Sequence, residues 1–160
     1  MTRAVLALGA NLGDPGQTIR GAMDALDACP GIAVIDRSSV YRTAPVGGPE
    51  QPDFMNAVVV VETTLDPLAL LACAQSVEQQ WHRTREVRWG PRTLDVDVIV
   101  IDALVSDDPA LTLPHPRAAE RAFVLVPWLE VDPSAALDGI PIRDLLARLD
   151  TSDIERMDAA

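Results

Sequence analysis

Between Arg88 and Ile99 the chain reads Arg-Trp-Gly-Pro-Arg-Thr-Leu-Asp-Val-Asp-Val-Ile, placing cations just ahead of two closely spaced carboxylates. Asp95, Val96, Asp97 and Val98 alternate as strand residues do. Successive strand side chains point to opposite faces, so Asp95 and Asp97 share one face, roughly 6.5–7 Å apart along the strand. Val96 and Val98 then turn toward the core. Two carboxylates on one face repel unless something cationic lies between them. A hard divalent ion fits, Mg²⁺ above all, because it prefers oxygen and is commonly held by one or two carboxylates plus phosphate oxygens. An amphipathic strand with a solvated acidic face has the same spacing. Arginine immediately upstream favours the metal, since Arg92 and its neighbours could grip phosphates that the metal also holds.

Two further groups of residues carry chemical potential. In Leu111-Thr112-Leu113-Pro114-His115-Pro116, the two prolines make a stiff, non-helical segment that presents the His115 ring, with Arg121 and Phe123 following. An imidazole held there could hydrogen-bond a phosphate or be a bland loop histidine. His82 has no such context. In Tyr41-Arg42-Thr43-Ala44-Pro45-Val46 and then Gln51-Pro52-Asp53-Phe54-Met55-Asn56, the Asn56 amide offers both donor and acceptor. Phe54 shares its strand parity, and an aromatic beside such an amide suits a flat heterocycle. A core phenylalanine and a strand-edge asparagine would look the same.

Charge and composition narrow the partners. The chain has 13 basic residues, all arginine, against 24 acidic ones, for a formal charge of −11. Without lysine there is no Schiff base, no pyridoxal-phosphate anchor and no P-loop lysine. The acidic balance opposes nucleic-acid or anionic-membrane binding, which needs a dense cationic footprint. Yet His82 to Arg92 holds four arginines and a single acid, Glu86, a local strip suited to a small anion. Cys29 and Cys73 lack metal-site spacing. The apolar start, Ala4 to Leu8, is too short for a signal peptide, and no run is long enough to span a membrane. A cytoplasmic enzyme or binding domain is expected, with a small molecule as its ligand and a monomer as the default.

The elements that must position these groups follow from periodicity and caps. Arg3 to Gly9 reads as a buried strand. Asp14-Pro15-Gly16-Gln17 gives a capped helix start, and Ile19, Met23 and Leu26 carry the helix to about Cys29. Ile32 to Thr43 is β-rich, residues 44 to 53 form a loop, and Phe54 to Thr64 is a strong strand. Asp66-Pro67 opens a second helix with Leu70, Ala74, Val77 and Trp81 on one face. Leu94 to Ile101 is a fourth strand, followed by a polar turn at Ser106 to Pro109 and an irregular stretch from Leu111 to Arg121. Phe123 to Glu130 is helical despite Pro127, and Ile142, Leu145, Leu146 and Leu149 mark a last short helix. The order β-α-β-β-α-β predicts an α+β, ferredoxin-like fold: an antiparallel sheet with two helices on one face plus C-terminal helical additions. One domain over residues 1–150 is expected, with 151–160 as a frayed acidic tail.

The 88–99 run resembles the signature of the 6-hydroxymethyl-7,8-dihydropterin pyrophosphokinase family. Gly-Ala-Asn-Leu-Gly at 9–13, the blocks within 39–56, and Leu-Pro-His-Pro with Arg-Ala-Phe within 113–123 agree in order and spacing, over roughly residues 3–130. The resemblance implies a ferredoxin-like core and Mg²⁺-dependent transfer of pyrophosphate from ATP to the pterin hydroxymethyl group, releasing AMP. It implies two Mg²⁺ ions on Asp95 and Asp97, with Arg83 and Arg92 joining them as catalytic residues. ATP would be held by Arg85, Arg88, Trp89, Arg92, His115 and Arg121, with Leu71, Gln75, Glu78, Val98 and Thr112 around the nucleoside. The pterin would lie between Phe54 and Phe123, read by Asn56 and by backbone near Thr43, Ala44 and Val46. Trp89 would close over it, and Asp95 would reach it.

The chain departs from the family pattern at Ala10, where serine is frequent, and at Phe54, where tyrosine is. Ala110 and Pro116 replace an arginine and an aromatic of some members. A catalytically silent ligand-binding domain would have no need of the metal pair, and a phosphotransferase acting on another planar alcohol would release ADP.

Overall fold

The computed structural model describes residues 1–44, 52–81 and 93–157. Its centre is β1 (Thr2–Ala10), a strand apolar on both faces. Ala4, Leu6, Leu8 and Ala10 enter one core, while Val5 and Ala7 enter another on the opposite side. The first helix, α1 (Pro15–Asp27), starts as its caps dictate: Pro15 needs no N–H there, and Asp14 accepts the Gln17 N–H at 3.2 Å. Next come β2 (Ile32–Arg37), β3 (Tyr41–Thr43) and the long β4 (Phe54–Thr63). The second helix, α2 (Pro67–Gln80), repeats the device, with Asp66 accepting the Ala69 N–H at 2.9 Å, and leads to β5 (Asp95–Ile101).

The stretch 32–43, read as one β-rich unit, is divided at Ser38. There the backbone ladder to β4 is kept by a side chain: Ser38 N–H donates to the Val58 carbonyl at 2.9 Å, and the Ser38 hydroxyl accepts the Val58 N–H at 2.8 Å. With β2 and β3 counted as one interrupted strand, the order is β-α-β-β-α-β. β4 and β5 flank β1, both antiparallel to it, and β2 and β3 lie antiparallel on the far side of β4. This is the ferredoxin-like arrangement. α1 and α2 cover one face through Ile19, Met23, Leu26, Leu70, Ala74 and Val77.

The remaining elements close the other face. β6 (Ser106–Asp108) and β7 (Leu111–Leu113) form a hairpin where a polar turn and an irregular stretch were expected. A 3-10 turn at Ala118–Glu120 precedes α3 (Ala122–Val131). A small hairpin, β8 (Ala136–Leu137) with β9 (Ile140–Pro141), turns at Asp138-Gly139, both with positive φ, 50° and 80°. Then comes α4 (Ile142–Leu146). Val124, Leu125, Trp128, Ile142 and Leu145 pack on Val58, Val60 and Ile99, forming the second core. The C-terminal helices are therefore a full layer, required because Val58–Val61 is apolar on both faces.

The expected frayed tail is corrected over its described part. Glu155–Arg156 form β10, paired antiparallel with β3, and Met157 N–H donates to the Val40 carbonyl at 2.9 Å. Open backbone on the outer edge of β3 offers partners that a chain terminus can take. Among the described residues, no helix is long and apolar enough to cross a membrane.

Candidate active site

Register places the chemistry. Asp95 on β5 lies opposite Gly9 on β1, Gly9 lies opposite Asn56 on β4, and Asn56 lies opposite Tyr41 on β3. Residues directly opposite one another share a face, so this row crosses four strands on the side that carries α3. Two strand spacings, roughly 9–10 Å, separate the backbones of Asp95 and Asn56. Gly9 and Ala7 lie between, and their small size leaves depth above the sheet. A cavity of about 610 Å³ opens over them, with Asp95 and Asp97 on one side and Asn56, Thr43 and Phe54 on another.

The Asn56 amide is oriented by the sheet. It is only 5% exposed, and its Nδ2 donates to the Thr43 hydroxyl at 2.8 Å. Its Oδ1 points over Gly9, 2.9 Å from where a β-carbon on that residue would stand. The end of β1 is held in turn by Asn11, whose Nδ2 donates to the Pro52 carbonyl at 3.0 Å, two residues before Phe54.

His115 is held by a bulge. The register of β5 against β1 shifts so that Leu6 faces Val98 while Val5 faces Val100, leaving Ile99 over. The Ile99 carbonyl accepts the His115 N–H at 2.8 Å, pinning the segment between the prolines against the edge of β5. His115 Nδ1 accepts the Arg117 N–H at 3.2 Å, so a neutral ring carries its proton on Nε2 and can donate from there. Burial pushes the imidazole below its ordinary pKa; the Asp97 carboxylate acts against this, while Arg121 and Arg117 add to it. The ring is thus a neutral donor beside Asp97.

The opposite wall comes from α3. Arg121 is its N-cap residue and Phe123 lies in its first turn, with the Arg121 guanidinium carbon 5.6 Å from the Phe123 ring centroid. Pro127 has no N–H to give the Phe123 carbonyl, so the first turn lacks that helical rung. The other end of α3 is clamped to the sheet. Glu130 accepts the Ser39 N–H at 2.9 Å, the Ser39 hydroxyl at 2.9 Å and the Tyr41 hydroxyl at 2.7 Å. Burial pushes the Glu130 carboxyl up, but these hydrogen bonds and Arg156 outweigh it and hold its pKa below the ordinary value. Burial and the bond to Glu130 push the Tyr41 phenol up to about 12.

A comparison decides what this constellation belongs to: residues 5–133 match the model of the 7,8-dihydro-6-hydroxymethylpterin-pyrophosphokinase (HPPK) family. The chain belongs to the HPPK family. Curated relatives named 2-amino-4-hydroxy-6-hydroxymethyldihydropteridine pyrophosphokinase include one from Methylorubrum extorquens, 46% identical over 99% of this chain and 100% of its own. Another, from Pseudomonas aeruginosa, is 39% identical over 99% of this chain and 98% of its own. One from Mycobacterium bovis is 44% identical over 96% of this chain and 87% of its own. The chain is accordingly an enzyme of the pyrophosphokinase class. Among solved structures, an HPPK-DHPS in complex with substrates superposes with a TM-score of 0.73 at 14% identity, covering 97% of this chain and 46% of the other. A Plasmodium falciparum HPPK-DHPS triple mutant gives 0.71 at 15% identity over 92% and 44%. The chain spans less than half of those longer chains, and the likeness establishes a shared fold.

Of the HPPK site expected from sequence, the cavity brings together Asp95, Asp97, His115 and Arg121 with Thr43, Ala44, Phe54, Asn56 and Phe123. Val46, Arg83, Arg85, Arg88, Trp89 and Arg92 lie outside the described residues. The nucleoside group is not among the described lining of this cavity. Leu71 is half-buried against the helix-side core, Gln75 is exposed, and the Val98 side chain is buried in that core, leaving only its backbone to meet a ligand. Thr112 donates its hydroxyl to the Asp108 carbonyl at 3.2 Å. Glu78 is 5% exposed and accepts the Val96 N–H at 2.9 Å, which ties α2 to the edge of β5.

The cavity also contains residues not singled out from sequence. Ala7 and Gly9 form its floor, while Arg117, Glu120, Leu149, Asp150, Asp153 and Ile154 extend its walls. Gly9 carried a signal, a glycine ending a strand where a ligand approaches the backbone. Leu149 showed only as an apolar helix position, and Asp150, Asp153 and Ile154 carried none.

Proposed function

We propose that the chain transfers pyrophosphate from ATP to 6-hydroxymethyl-7,8-dihydropterin, giving the pterin diphosphate and AMP, as a step of folate biosynthesis. The observation that carries this reading is the row Asp95–Gly9–Asn56 beneath one cavity, with Phe54 and Phe123 both lining it. A flat bicyclic ring fits between an amide fixed by Thr43 and aromatic faces. Its hydroxymethyl arm then extends toward the carboxylates across the width of Gly9.

Asp95 and Asp97 supply the hard oxygen ligands that Mg²⁺ prefers. Among the described residues no group of three or more His, Cys, Asp or Glu could hold a metal alone. Two carboxylates therefore suit ions whose other oxygens come from phosphates and water, and two Mg²⁺ ions are proposed there. Bound Mg²⁺ would neutralise phosphate charge and polarise the phosphoryl group.

The protein's own part is positioning and electrostatics. The hydroxymethyl oxygen attacks the β-phosphorus in line, the bond from that phosphorus to the α-phosphate bridging oxygen breaks, and AMP leaves with that bond's electron pair. The hydroxyl proton departs to solvent or phosphate. The His115 Nε2–H can donate to a phosphate oxygen without adding a full charge, and Arg121 adds one beside it. Arg83 and Arg92 are proposed to complete the catalytic cations, with Arg85, Arg88 and Trp89 on ATP and Val46 near the pterin. Leu71, Gln75, Glu78, Val98 and Thr112 are proposed to surround the nucleoside along the β5 edge. A monomer acting in the cytoplasm is proposed.

Incubation with MgATP and the hydroxymethyl-dihydropterin tests this directly. AMP and pterin diphosphate are the expected products. ADP would mean single-phosphate transfer, and either that result or the absence of any product would overturn the reading.

A further inference from the structure

The cavity has one wall that the proposed reaction does not use. Leu149, Asp150, Asp153 and Ile154 line it, all beyond α4. They are held there by contacts of their own. β10 pairs with β3 through Glu155 opposite Arg42 and Arg156 opposite Tyr41, so the segment is fastened to the strand that ends in Thr43. Arg42 forms an ion pair with Glu155, and its Nε lies 4.0 Å from the Asp53 carboxylate, joining the tail to the residue before Phe54. Arg156 lies 3.6 Å from Glu130, the same carboxylate that clamps α3 to Tyr41. On the inner side, Leu149 packs with Phe123 and Leu146 against the second core, and Ile154 is half-buried.

Charge selects which substrate meets this wall. Asp95 and Asp97 lie near His115, Arg117 and Arg121, a region where polyphosphate with its cations is stabilised. The tail presents Asp150 and Asp153, both exposed at the rim, with Asp150 further held as an anion by the Ser152 N–H at 2.9 Å. Two carboxylates without a facing metal pair repel a polyphosphate and tolerate an uncharged heterocycle. Apolar Ile154 and Leu149 between them match a ring edge.

We propose that residues 149–157 form a wall of the pterin half of the site, with Ile154 as a substrate-contacting residue and β10 as the clip that holds it. This rests on the pterin reading above. Removing part of the Ile154 side chain leaves β10 and its ion pairs intact while withdrawing the contact.

The test measures, for wild type and Ile154→Ala, the Kd for the hydroxymethyl-dihydropterin by fluorescence titration, both KM values, kcat and the melting temperature. A rise of roughly tenfold in pterin Kd and KM, with ATP KM, kcat and melting nearly unchanged, is expected. A second variant, Met157→Pro, which removes the N–H donated to the Val40 carbonyl and so loosens the clip, should raise the same two pterin constants. Unchanged pterin constants in Ile154→Ala would overturn the proposal. So would equal losses for pterin and ATP with a lowered melting temperature, the pattern of a merely structural residue. A wild-type protein that neither binds nor turns over the pterin overturns the functional reading and this inference together. A wild type that does both while Ile154→Ala matches it overturns the inference alone.

Discussion

Gly9 and Asn56 face one another across β1 and β4, and the Asn56 Oδ1 stands 2.9 Å from the point a Gly9 β-carbon would occupy. One missing methyl group therefore decides where a buried amide points. The same glycine separates Asn56 from Asp95 on the other side of β1. Register puts the Asn56 amide and Asp95 in a single row, and no side chain rises between them.

Gly9→Ala should displace the Asn56 amide without unfolding the chain, since the backbone there needs no glycine-only conformation. Loss of an oriented hydrogen-bonding group is worth about 1–2 kcal/mol, so pterin KM should rise about five- to thirtyfold while ATP KM stays near its original value. Steady-state kinetics with each substrate varied in turn reads the difference. Equal pterin KM in the variant would mean that Asn56 does not read the ring.

Asp97→Ala should remove turnover, by at least about a hundredfold, and leave the circular dichroism spectrum intact. The side chain faces the cavity and not the helix-side core, so its loss opens no void among packed residues. An active variant would sink the metal assignment.

Phe123→Ala should weaken pterin binding by ~1–3 kcal/mol through lost stacking and burial. Fluorescence titration with the pterin, repeated with ATP, separates stacking from damage to α3. A parallel fall in both affinities would mark Phe123 as a packing residue only.

Glu130 predicts a pH dependence of stability. Its pKa is depressed in the folded chain, so its contribution is present above the ordinary carboxylate value and is lost as pH falls through the folded value. The melting-temperature gap between wild type and Glu130→Gln should therefore be widest near neutrality and close below about pH 4.5. Tyr41 acts in the opposite direction at the alkaline end. Its raised pKa, about 12, gives stability that is whole below about 10 and is lost as pH rises through 12. A gap that stays constant with pH would mean that the Glu130 clamp is electrostatically idle.

The readable features were local ones. Strand parity at 95–98 put Asp95 and Asp97 on one face and Val96 and Val98 in the core, as found. The Asp-Pro pairs at 14–15 and 66–67 marked both helix starts, because a cap involves atoms only three residues apart. The division of 32–43 at Ser38 was not readable, since it depends on Val58 across the sheet. The β6–β7 hairpin was hidden because each strand has only three residues, too few to show a period, and β6 is polar throughout. The tail looked unattached because charged, exposed residues carry no packing signal, and its anchor is an open strand edge elsewhere in the chain.

By itself, then, the sequence determined the fold class, the paired carboxylates and the family blocks, all of which rest on periodicity and short spacings. Only the tertiary structure decided that Asp95, Gly9 and Asn56 form one row, that a bulge at Ile99 pins His115, that Glu78 accepts the Val96 N–H, and that the C-terminal segment walls the cavity. Each of these depends on register or on contact between distant segments. Register is a property of paired strands, and no single strand contains it.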